Sequence, residues 1–200
     1  MQENQRRGAP PEWAFEFHGH RCPFMPLGFR MGQAALAELG VGREADHTLH
    51  VIAELGEGHP QTCLMDGIQI ATGATFGKTL IEKTHWGKLP ATFWYPGKTA
   101  VRFALKPDFL DRFGAQEFFA YRKRGVEPSG IPTDVTQAAI DWTLSLADEE
   151  IKVAFAFIMW FFATQIALQL WGHLMRQRKL PAATDMRSTA VLRLAQTKRL

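Results

Sequence analysis

Cysteine is scarce: two residues in 200, Cys22 and Cys63. No Cys-x-x-Cys pair exists, and two thiols cannot build a zinc ribbon. The start of the chain lacks an apolar run after Arg6 and Arg7, so no secretory signal is expected and a reducing cytoplasm is the expected compartment, with inner-membrane attachment as the alternative. In such a compartment two thiols read as ligands or reactive groups rather than as a disulfide. A phosphate-binding loop is also missing. Thr72-Gly73-Ala74-Thr75-Phe76-Gly77-Lys78-Thr79 resembles one, but its two glycines enclose three residues where the motif needs four. No internal repeat is present, and no Ser-His-Asp order can be argued from the linear sequence.

What is present describes a folded chain with one main domain, 46% hydrophobic and 22% charged. Charge is unevenly spread. Residues 151–200 hold eight Lys or Arg against a single acid, Asp185, although the whole chain carries only +3. A basic end on an acidic body suggests an anionic lipid surface, or simple solvation, rather than a nucleic-acid-binding core.

Chemistry concentrates at Phe17-His18-Gly19-His20-Arg21-Cys22-Pro23. Imidazole nitrogen and thiolate sulfur are donors that zinc and other late first-row divalent ions favour. On an extended segment His18, His20 and Cys22 would project to one side. The plainer alternative makes the histidines turn residues and Cys22 a small buried hydrophobe. An open metal site with an exchangeable position is the expectation. A second constellation, Cys63, Asp66 and Gln69, recurs at helical spacing. Cys63 near a helix N-terminus would have its thiolate favoured, and Asp66 in the first turn would also suit the helix dipole. Lys78 is either an anion contact or a solvated lysine; His85 and Trp86 have no assignable partner.

The spacing predicts helices over 27–39, 63–73, 107–113, 117–123 and 133–147, with Thr133 as an N-cap, and strands over 48–55, 91–95 and 100–106, the last two joined by a hairpin at Pro96-Gly97. Strands interspersed with helices argue for an α+β domain, a mixed or antiparallel sheet layered with helices. Residues 1–12 read as a polar lead, 13–150 as the domain, and 151–200 as an apolar helix and basic tail. Val153–Trp171 is uncharged for nineteen residues, roughly 28 Å as a helix. It suits a membrane span, a membrane surface contacted through 153–179, or packing within an oligomer.

Phe17–Pro23, Leu27-Gly28-Phe29-Arg30-Met31-Gly32, Cys63–Gln69 and Thr72–Lys78, in that order, resemble the FmdE-like family of formylmethanofuran dehydrogenase subunits over about residues 13–150. The resemblance implies an α+β, dimeric domain with a metal-associated pocket: His18, His20, Cys22 and Cys63 as ligands, Asp66, Gln69, Thr75 and Lys78 around them. It further implies an accessory role beside molybdenum or tungsten oxidoreductases of C1 metabolism, with oxidoreductase subunits as partners and a divalent metal, zinc, as cofactor. The ending after Glu150 departs from the compact or cysteine-rich endings of many relatives. Two other readings stand beside this one: a small enzyme using Cys63 or a metal-bound water on a carbonyl substrate, with Asp66 as base and Lys78 as anion anchor, or a membrane-associated interaction protein.

Overall fold

The computed structural model describes residues 8–157, and of 152–157 the backbone alone. Twelve regular elements follow in chain order: α1 (Trp13–His18), α2 (Phe24–Leu39), β1 (His50–Ala53), α3 (Cys63–Thr72), β2 (Ile81–Lys83), β3 (Ala91–Trp94), β4 (Ala100–Leu105), α4 (Pro107–Gly114), α5 (Glu117–Lys123), α6 (Thr133–Ser145), α7 (Asp148–Ile151) and β5 (Lys152–Phe157). The five strands form one mixed sheet in the order β2-β1-β3-β4-β5. β1 and β2 are parallel and every other neighbouring pair is antiparallel.

Alternation explains the sheet. Leu49, Val51 and Ala53 are all buried, the period-2 face expected of a half-buried strand. β3 and β4 pair around the Pro96-Gly97 turn, with Phe93 and Phe103 edge to face at 6.1 Å. Buried Glu54, just after β1, takes a two-pronged hydrogen bond from Arg102 of β4 at 2.6 and 2.8 Å.

The apolar segment departs from expectation. Lys152–Phe157 is a strand, not the start of a long helix, and it continues the sheet beside β4 from Leu105↔Lys152 to Ala100↔Phe157. Val153, Phe155 and Phe157 alternate with Ala154 and Ala156, a strand period masked by the uncharged run around it. The rest of that run and the basic tail lie outside the described residues. Among the described residues no helix is long and apolar enough to cross a membrane.

Helices α2 and α3 cross so closely that glycine is obligatory. A Cβ on Gly28 would fall on the Leu64 carbonyl, one on Gly67 would fall on the Met25 carbonyl, and one on Gly32 would lie 2.7 Å from the Ala71 methyl. Close packing leaves no room for these atoms. α2 begins at Phe24, earlier than the apolar spacing suggested, and that ring packs edge to face on Phe113 of α4 at 5.0 Å. Phe113 and Phe109 in turn stack on Trp142 of α6. Buried Arg30 extends from α2 to the Thr143 carbonyl and Asp148. Thr133 is the first residue of α6 rather than its cap; Pro132 occupies the cap position, and its preset φ suits a helix entrance. These contacts clamp the start of α2, and with it Cys22, against the start of α3.

Candidate metal centre

His18, His20, Cys22 and Cys63 converge. One donor atom from each lies within 4.8 Å of all the others. The convergence does not come from an extended segment. His18 is the last residue of α1, and Gly19 turns the chain at φ 83°, in the left-handed region that glycine adopts without strain. That reversal brings the His18 and His20 rings to a centroid distance of 4.3 Å. Cys22 precedes α2, Cys63 opens α3, and the glycine-lined crossing of the two helices holds their beginnings together.

Asp66 stands one turn into α3 and accepts a hydrogen bond from His18 Nδ1 at 2.7 Å. His18 Nε2 then faces the Cys22 sulfur at 3.5 Å. The other Asp66 oxygen accepts from Gln69 Nε2 at 3.1 Å, and Gln69 Oε1 accepts the Phe76 amide at 2.7 Å. The predicted helical face of Cys63, Asp66 and Gln69 therefore exists, but its carboxylate orients an imidazole. A histidine held through one nitrogen by a carboxylate presents the other in a fixed direction, as in many metal sites.

Electrostatics follow from this geometry. Burial works against a charge on His18, yet its bonds to Asp66 and Cys22 carry its pKa up to about 9. Cys22 and Cys63 titrate as a pair. The hydrogen bond from Cys63, with help from His18 and His20, holds Cys22 well below the usual thiol value despite burial. Cys63 is pushed up by its role as donor to Cys22 and by burial. The cluster so favours one thiolate beside an imidazolium, charges that a divalent cation would replace.

His59 is the side chain that the sequence did not single out. Its Nε2 lies 3.2 Å from the Cys63 sulfur, and its ring centre is 5.6 Å from that of His20. Burial, then the nearby Arg122 and His20 charges, hold its pKa below the ordinary histidine value. The signal available was the spacing of His59 and Cys63, four residues apart.

Thr75 and Lys78 lie on the turn after α3. The Thr75 carbonyl accepts the Lys78 and Leu80 amides, and Lys78 Nζ donates to the Glu44 carbonyl at 3.4 Å. The lysine is thus engaged by backbone rather than by the His/Cys cluster. His85, without an assignable partner in the sequence, pairs with Glu57, while Trp86 is exposed.

These features define a class: an α+β domain in which two packed helix entrances and the turn after α1 present a compact His₂Cys₂ donor set, geometrically able to hold a metal ion. The family described as "FmdE, Molybdenum formylmethanofuran dehydrogenase operon" matches residues 17–153, and the chain belongs to it. A probable S-adenosyl-L-methionine-binding protein of Archaeoglobus fulgidus is 31% identical over 159 residues, covering 71% of this chain and 41% of that protein. This chain thus spans less than half the length of that relative. A tungsten formylmethanofuran dehydrogenase FmdE-like protein from Syntrophus aciditrophicus has a solved structure similar at 20% identity, with a TM-score of 0.46 over 73% of this chain and 68% of that one.

Proposed function

We propose that this chain is a metal-binding accessory protein that holds a divalent cation, zinc, through His18, His20, Cys22 and Cys63 and serves a molybdenum or tungsten oxidoreductase of C1 metabolism. The observation that carries the reading is the mutual approach of two nitrogens and two sulfurs within 4.8 Å, with Asp66 behind His18. Zinc takes sulfur at about 2.3 Å and nitrogen at about 2.0 Å, so neighbouring donors around a tetrahedral ion stand about 3.3–3.8 Å apart. The Cys22–His18 and Cys63–His20 separations, 3.5 and 3.8 Å, fall in that range. Four protein donors complete a tetrahedral shell, which favours a closed site over the open one expected from the scarcity of cysteine. Both Asp66 oxygens are engaged, which argues against its use as a base on a substrate. The oxidoreductase role is supported by the family's association with that operon. A second copy of the chain and oxidoreductase subunits are the partners this role calls for.

Elemental analysis of the purified full chain tests the proposal. The wild type should carry stoichiometric zinc and the His20→Ala/Cys63→Ala double variant none. Metal undiminished in the double variant refutes the ligand set, and light scattering that finds a monomer refutes the second copy.

A further inference from the structure

His59 approaches the cluster from outside the four-donor set. Arg122, on α5, donates from its terminal Nη2 to His59 Nδ1 at 3.3 Å. A guanidinium has five donors and no acceptor, so Nδ1 must accept, and the ring proton therefore sits on Nε2. That nitrogen lies 3.2 Å from the Cys63 sulfur, so the N–H is directed at the sulfur. Arg122 is itself tied down. Its Nη1 donates to the Val126 carbonyl at 2.5 Å and to Glu127 at 3.2 Å, and its side chain is 14% exposed.

We propose that His59, fixed by Arg122, is a positioning residue that donates an N–H···S hydrogen bond to Cys63 and so sets how strongly this sulfur donates to a bound cation. The inference rests on the metal-site reading. A hydrogen bond to a thiolate draws charge from the sulfur, and groups behind the ligands tune the metal as the ligands themselves do. The arrangement ties α5 to the centre through two side chains that are not ligands: a shift of α5 that withdrew Arg122 would free His59 to turn, and Cys63 would lose its donor. His59 is exposed, so this face of the centre is open to such a change.

Two measurements on the full chain decide the matter. Nitrogen-15 NMR of the imidazoles, with no metal added, should show His59 as the Nε2–H tautomer; an Nδ1–H tautomer overturns the proposal. Cobalt(II) added to the wild type should give a sulfur-to-metal charge-transfer band. In His59→Phe, which keeps a flat ring and removes the donor, the band should move to lower energy at unchanged stoichiometry, and His59→Gln, which restores a donor, should move it back. An unmoved band, or His59→Gln behaving as His59→Phe, overturns the proposal. So does loss of a nitrogen ligand in X-ray absorption of His59→Phe, since His59 would then be a ligand. A wild type that binds no cobalt refutes the metal reading, and the tautomer measurement still judges the hydrogen bond.

Discussion

Asp66 commits one oxygen to His18 and the other to Gln69, so its removal tests orientation rather than ligand count. Asp66→Asn should keep the fold and weaken zinc binding about 10- to 100-fold, the usual effect of losing a carboxylate behind a ligand; competition with a chromophoric chelator reads it. Glu44 makes a different case. It is buried, and one of its oxygens accepts from the Thr48 amide and hydroxyl and the Leu49 amide. Burial alone would raise its pKa, but these donors bring it below 4.5. A depressed carboxylate contributes stability that is present above the unfolded-state pKa and lost as pH falls through the lower folded value. Unfolding free energy should therefore drop as pH falls below about 4.5. Glu44→Gln should cost about 1–3 kcal/mol at neutral pH and flatten this acid limb, both measured by urea titration.

At the scale of elements, the α2–α3 crossing governs the centre. Gly28→Ala and Gly67→Ala each place a methyl into opposing backbone, which helix backbones cannot yield to as a flexible side chain would. Each should destabilise the chain by about 1–3 kcal/mol or more, and thermal melts should show it, whereas Gly77→Ala, with open space around it, should be nearly silent. The sequence made most elements legible because their faces are periodic: β1, β3, β4 and α3 to α6 lie where the apolar spacing puts them, within a residue or two. His18, His20 and Cys22 were legible as candidate donors because imidazole and thiolate clustering is rare in so small a segment, and Cys63 because it is the other cysteine of the chain. What stayed hidden was three-dimensional. The alternating spacing of His18, His20 and Cys22 suggested an extended segment, while a helix end and the left-handed Gly19 bring them together. His59 escaped notice because its meaning depends on Arg122, 63 residues away. The strand in 152–157 was concealed by an apolar run whose length suited a helix.

For the whole molecule, β5 determines how the sheet ends. Its six residues pair along the full length of β4, and without them the β4 backbone would be a bare edge, prone to pair with another chain. A chain ending at Ile151 should melt lower than one ending at Phe157, because β4 loses its whole ladder of partners, as thermal melts would record. Equal behaviour of the two would show β5 to be dispensable.

The two helix entrances that carry the thiols are joined by a seam of glycines with almost no slack. An ion gripping Cys22 at one entrance and Cys63 at the other would act as a rivet across that seam, and a ligand bound only by the folded state adds its binding energy to folding. Chelation should then be felt far from the ion: backbone amides of α3 buried against α2 should exchange with deuterium faster once the rivet is drawn, while those of β3 and β4 keep their pace.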